Sequence, residues 1–291
     1  MGECEAIMTT TAENTEGRRG VTEPLPVVDA PAETALSTWL RHSVIQCKRL
    51  LTAWARDTST TVQSIIYPAL TLLMLRVVLG DSVTAATGMP SVYGTVPMIT
   101  LVAAMSGSMV SALGFKTEKA TGLLGRFWTM PTHRAAGLTG RLMAEAVRVL
   151  FSTLFVIVVG VCIGFRFSNG ALAALGVIAI PLLFGVGFAV LVTALATVSE
   201  GIVLISVISI VNTLLMFFNT GFVPVGAYPA WLRTVVENQP MSTAIDTMRG
   251  LCWHGPVAVP LYKTIAWVAA MILIFGYPAI RGYRRAAETG I

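Results

Sequence analysis

Charged residues are scarce: Asp, Glu, Lys and Arg together make up only 12% of the 291 residues. Soluble proteins carry about 25%, so this chain has too little charge to wet the surface of an ordinary soluble enzyme. Hydrophobic residues reach 55%, and mean hydropathy is +0.74. The apolar runs approach the length of a membrane span and do not alternate with period two, which favours helices over a β-barrel. The expected fold class is an all-α integral membrane protein.

The signatures of catalysis are missing as well. Gly-Lys occurs nowhere, so there is no GxxxxGK[ST] phosphate loop, and HExxH, CxxC and GxSxG are absent too. His42, His133 and His254 are isolated, and Cys4, Cys47, Cys162 and Cys252 lie far apart without metal-ligand spacing. No catalytic residue, metal ligand or directly bound cofactor is nominated. Asp81, Glu118, Glu145, Glu200, Glu237, Asp246 and Glu288 all read as lying at span ends or outside spans. Ion-coupled carriers commonly keep an ionisable group mid-span, so this placement argues against one.

What is present has a clear order. Residues 1–35 hold seven acids against Arg18 and Arg19, with no apolar h-region behind those arginines. They read as a disordered acidic cytoplasmic tail, not a cleaved signal peptide. Residues 36–57 change character. At 100° per residue, Leu36, Trp39, Leu40, Val44, Cys47, Leu50, Leu51 and Trp54 share one face. Arg41, His42, Lys48, Arg49 and Arg56 share the other, with Ile45 the one exception. This predicts an amphipathic helix lying in the membrane interface.

Residues 58–285 form a domain of six expected spans, followed by a cytoplasmic tail, 286–291. The spans fall near Thr60–Gly80, Thr95–Phe115, Ala146–Phe165, Ala171–Thr197, Gly201–Phe222 and Pro260–Ile280, the fourth broken by Pro181, Gly185 and Gly187. With the amino terminus inside, fifteen Lys and Arg lie on the inner side and five on the outer. The positive-inside rule then places both termini in the cytoplasm of a plasma-membrane protein. The basic excess follows membrane topology, so no nucleic-acid partner is expected.

Two segments between spans stand out. Residues 116–145 form a long basic loop expected in the cytoplasm. Residues 223–256, rich in Pro and Trp, predict a turn and two short helices resting in the outer interface or dipping into it. Asp246 and Arg249 there stand at i, i+3 and suit a local ion pair. Span five is polar without charge, through Ser206, Ser209, Asn212, Thr213 and Asn219. The two asparagines, seven apart, share a face of an extended helix. Two readings stand: interhelical hydrogen bonds, or a permease interface or path for an amphiphilic substrate.

This order resembles the permease subunits of ABC-2 type exporters over most of residues 36–285. The stretch TEKATGLLGRFWTMPTHRA (117–135) is similar to the family's acid, Gly, Leu-rich turn, Pro and Arg, at Glu118, Gly122, Leu123, Pro131 and Arg134. Lys119 departs from it, because many relatives carry an acid or Arg there. GFVPVGAYPAWLRTVVENQPMSTAIDTMRG and GFRF at Gly164–Phe167 look like the daunorubicin-resistance (Drr) permeases. Within that group they look most like the mycobacterial DrrC type, associated with export of phthiocerol dimycocerosate lipids.

The resemblance implies an exporter of hydrophobic lipid or amphiphilic drug. It implies two copies of a separate ATPase subunit using ATP and Mg²⁺, and a second permease chain, identical or paralogous. It also implies a coupling helix in the loop after span two, assigned to Lys116, Glu118, Gly122, Leu123, Arg126, Trp128, Pro131 and Arg134. The alternatives are an ion-gradient-driven carrier, an intramembrane lipid-modifying enzyme, or a scaffold for lipid synthesis.

Overall fold

Ten α-helices and one 3₁₀ turn make up the ordered elements of a computed structural model, with no strand among the described residues. Those residues are 36–129, 132–199, 201–253 and 255–288. The acidic tail, Pro131, Glu200 and His254 lie outside them.

The first helix, α1 (Leu36–Arg56), stops at Asp57, which caps α2 (Thr58–Thr87) by accepting the Thr60 amide at 3.2 Å. Thr60 Oγ1 donates to the same carboxylate. These hydrogen bonds hold the Asp57 carboxyl below its ordinary range. A depressed folded-state pKa means that the stabilisation is present above the unfolded carboxylate range and is lost as pH falls through the folded pKa. Asp57→Asn keeps a capping side chain without the charge. The variant is expected to lose part of the acid-induced drop in melting temperature, measured against wild type across the acid range. Identical pH profiles would remove the cap from the account.

The helices α3 (Val92–Ala120), α5 (Ala136–Cys162), α6 (Gly170–Val198) and α10 (Ala258–Glu288) complete, with α2, a set of five long apolar helices. Each is long enough to cross about 30 Å of hydrocarbon at 1.5 Å per residue. The expected fifth span is shorter. The helix α7 (Gly201–Phe217) ends five residues before the expected boundary and reaches only about 25 Å. It stops because Asn219 folds back, donating to the Leu215 carbonyl at 3.2 Å and accepting the Gly221 amide at 2.7 Å. Asn219 is therefore a cap beyond the helix and does not share a helical face with Asn212.

The core is built around α3 and α6, the most buried of the long helices, while α2 and α10 leave most of their apolar surface outward. Phe115, Phe165, Phe184, Met98, Leu101 and Met105 are fully buried there. The expected break in the fourth span is not found: α6 runs unbroken through Pro181. Gly185 instead permits close approach, since a Cβ there would lie 2.9 Å from Val149 and 3.3 Å from Ala104.

The segment after α7 carries the turn Val225–Ala227, then α8 (Ala230–Asn238) and α9 (Pro240–Cys252). Its two helices behave differently. Trp231 and Val235 of α8 are exposed, whereas Met241, Ala244, Ile245, Met248 and Cys252 of α9 are wholly buried against α3, α6 and α10. The helix α9 is thus part of the core.

Candidate functional site

The expected basic loop 116–145 is mostly helix. The helix α3 runs on to Ala120 and α5 begins at Ala136, leaving a short connection that holds the seven-residue helix α4 (Leu123–Thr129). Gly122 makes the turn between α3 and α4 at φ +69°, a left-handed conformation that a side chain disfavours. Its amide donates to the Lys119 carbonyl at 3.2 Å.

Leu124 anchors α4. It is 3% exposed and belongs to the core cluster with Phe115 of α3 and Ala286 and Ala287 of α10. The Arg49 guanidinium of α1 lies 4.9 Å above the half-buried Phe127 ring. Arg126, Lys119 and Arg134 are exposed, and Leu123 is half-exposed. Trp128 belongs to the same helix.

The remaining nominated residues point inward. Lys116 donates to the carbonyl of Ser199, the C-cap of α6, where a cation suits the negative end of the helix. Glu118 accepts from Arg49 Nη2 at 2.6 Å and from Arg141 Nη2. Its side chain is only 13% exposed, and that of Arg141 only 4%. Arg141 also donates to the Ser111 carbonyl at 2.8 Å and lies 5.4 Å from the Phe115 ring centroid. One carboxylate therefore ties α1, α3 and α5 together, and it is committed to internal partners.

A second buried pair lies one turn further along α5. Glu145 is 0% exposed, pairs with Arg148 and accepts from Ser108 of α3 at 3.1 Å. The expectation that every acid sits at a span end or outside is therefore wrong for Glu145. The sequence signal was present: Arg141, Glu145 and Arg148 stand at i, i+4 and i+7 on one face of a helix. Reading the segment as a loop concealed it.

The helix α1 forms, but its apolar face is divided between two environments. Trp39, Ser43 and Cys47 turn to α5, with Trp39 Nε1 donating to Thr139 at 3.2 Å and Ser43 Oγ 2.6 Å from the same hydroxyl. Leu36, Leu40, Val44 and Ile45 remain exposed. His42 Nδ1 accepts the His133 amide at 3.2 Å and pins the start of α5 to α1.

The span-five residues do not converge. Ser206 and Thr213 are exposed, Ser209 is half-buried, and Asn212 Oδ1 is buried without a hydrogen-bond partner among the described residues. At the opposite end of the molecule Asp246 pairs with Arg249, as the spacing suggests, and accepts from Thr220 at 2.8 Å. Burial pushes the Asp246 carboxyl up, while Arg249 and Thr220 pull it back.

The described residues thus place a short, core-anchored helix between the second and third of five long apolar helices. The chain belongs to the ABC-2 type transporter family, whose pattern matches residues 43–253. It is 37% identical over 256 residues to a probable doxorubicin resistance ABC transporter permease, DrrC, of Mycobacterium tuberculosis. That match covers 88% of this chain and 93% of the relative. It is 25% identical over 280 residues to the daunorubicin resistance ABC transporter permease DrrB1 of Streptomyces coeruleorubidus, covering 95% and 98%. The M. tuberculosis doxorubicin resistance permease DrrB is 26% identical over 202 residues, covering 65% and 69%. As an ABC-2 permease the chain is a multi-pass membrane protein and a transport subunit that partners with an ABC ATPase.

Proposed function

We propose that this chain is the transmembrane subunit of an ATP-driven exporter moving a hydrophobic lipid or amphiphilic drug across the plasma membrane. ATP and Mg²⁺ are used by two copies of a separate ATPase subunit. A second permease chain, identical or paralogous, completes the path, and both termini face the ATPase side. The observation that carries this reading is α4: Leu124 fixes it to α3 and α10, while Arg126 and the neighbouring Lys119 stand exposed. A short helix fastened to two long ones and presenting Arg126 outward is suited to pass motion of a bound partner into the bundle. The names of the relatives, which concern doxorubicin and daunorubicin resistance, support an amphiphilic drug as one class of cargo.

The test uses Lys119→Glu combined with Arg126→Glu. Both side chains are exposed. Glu118 is unsuitable because its change would break internal ion pairs. Co-purification with the ATPase subunit and ATP-dependent doxorubicin efflux are both expected to fall at least about tenfold, equivalent to about 1.4 kcal/mol of docking energy. Extraction yield and melting temperature should match wild type. Unchanged binding and efflux would overturn the docking role. Efflux that persists without ATPase and stops when an ionophore collapses the ion gradient would instead support a carrier.

A further inference from the structure

The helix α1 starts at Leu36 against the connection between α4 and α5. Trp39 Nε1 donates to Thr139 at 3.2 Å, the Trp39 and His133 ring centroids are 6.4 Å apart, and His42 Nδ1 accepts the His133 amide at 3.2 Å. Further along, Arg49 covers the Phe127 ring of α4 and donates to Glu118 at the end of α3. Residues 1–35 are therefore joined to the bundle at the edge of the face that carries α4.

That face is cationic. Arg41, Lys48 and Arg56 of α1, Lys119 at the end of α3, and Arg126 and Arg134 beyond it are all exposed. At 100° per residue, Arg41, Lys48 and Arg56 lie between the exposed apolar stripe of Leu36, Leu40 and Val44 and the side holding His42 and Arg49. The latter side turns to the connection. The α1 bases thus continue the surface of α4 and stand apart from the apolar stripe. Arg41, Lys48 and Lys119 enter no ion pair among the described residues. Among the described residues of 36–57 and 116–135, the one exposed acid is Asp57, at the far end of α1.

Residues 1–35 carry the opposite charge, since Glu3, Glu5, Glu13, Glu16, Glu23, Asp29 and Glu33 outweigh Arg18 and Arg19. We propose that this acidic segment docks on the basic face of its own chain and competes with the ATPase subunit for it. A coil of this length averages about 30–35 Å end to end, close to the length of α1, so the bases along α1 and beside α4 lie within reach of the tether. The contact is intramolecular, at an effective concentration of about 1 mM. One with a dissociation constant of about 0.1 mM then stands about ten to one in favour of docking. An anionic membrane surface is the competing occupant, but the side of α1 suited to a bilayer is the apolar stripe, and the basic stripe is turned from it towards α4. The competition rests on the reading of α4 as the ATPase contact, whereas the docking itself does not.

The full chain, purified in detergent without the ATPase, is treated with a water-soluble carbodiimide, which joins a carboxylate to a lysine amine in direct contact. Linked peptides are counted by mass spectrometry in a mixture of isotope-labelled and unlabelled chains, which separates links within a chain from links between chains. Links from the acidic segment to Lys48 or Lys119 are expected at least about tenfold above links to Lys263, which stands at the opposite end of the molecule beside Glu237. They should fall about tenfold between about 0.1 M and about 1 M salt, where the Debye length shrinks from about 10 Å to about 3 Å. Equal linking to Lys263, links only between chains, or indifference to salt would overturn the docking. So would absence of these links with Lys48 and Lys119 shielded from acylation only when phosphatidylglycerol is added, which would give the face to the membrane. A second full-length variant replaces all seven acids by their amides. It should bind the ATPase about tenfold more tightly than wild type, with melting temperature unchanged. Unchanged or weaker binding would overturn the competition. Lys119→Glu with Arg126→Glu then separates the causes: lost binding in that pair keeps α4 as the ATPase contact, and unchanged binding removes it.

Discussion

Glu118→Ala is expected to destabilise the protein by roughly 3 kcal/mol, the lower end of the range for breaking a buried ion pair. The estimate rests on Arg141, whose side chain is 4% exposed and would lose its only carboxylate among the described residues. Arg49 is 35% exposed and adds little, because water screens it. The loss spreads beyond one pair, since Glu118 joins α1 to α3 and α5. Thermal or denaturant unfolding in detergent measures it. The companion variant, Glu118→Leu with Arg141→Met, removes both charges at once and should recover most of the stability. A loss below about 1 kcal/mol in Glu118→Ala, the scale of an exposed pair, would mean that this carboxylate is peripheral.

That expectation reverses the role first suggested for Glu118. Its position in a family-like stretch marked it as a contact for a partner, and sequence alone could not show which way it turns. The helix α3 continues past the apolar boundary at Phe115 by more than a turn, carrying Lys116 and Glu118 back against the permease. Hydropathy detects where a helix leaves lipid, not where it ends. The same cause explains Arg141 and Glu145, assigned to a loop because they are charged, yet placed on α5 and buried.

Features with a local cause were legible. Helical periodicity gave the existence and extent of α1 as a helix, the Pro- and Trp-rich segment gave a turn and two short helices, and i, i+3 spacing gave the Asp246–Arg249 pair. Features set by tertiary contact were not. Nothing in the spacing of Asn212 and Asn219 reveals that the second folds back to end α7. Nor does the composition of residues 240–252 separate a helix resting at an interface from one packed into the core. Of the nominated coupling set, Gly122 has a conformational reason, Arg126 and Arg134 are exposed, and Leu123 is half-buried.

The seam between α1 and α5 yields the other large expected effect. Gly140 faces α1 so closely that a Cβ would lie 2.6 Å from Gln46 Cβ, 2.8 Å from the Ser43 carbonyl oxygen and 3.3 Å from the Cys47 amide. Two of these three atoms are backbone, so no rotamer change relieves the clash, and the helices must separate. Overpacking of this kind costs about 1–3 kcal/mol. Gly140→Leu is expected to reach the upper part of that range, raising the population of detached α1 roughly 30- to 150-fold. Cys47 reports the event, because it is buried against α5 and burial pushes its thiol pKa up. Detachment exposes the thiol and returns its pKa towards the ordinary value, so both changes accelerate alkylation. With Cys4 and Cys162 replaced by serine, Cys47 in Gly140→Leu should react at least about tenfold faster than in the wild-type background. Cys252, buried in α9 far from the seam, should stay protected. Gly140→Ala should fall between the two. Unaltered Cys47 protection in Gly140→Leu would show that α1 is not held by this contact. Accelerated reaction of Cys252 as well would point to general unfolding.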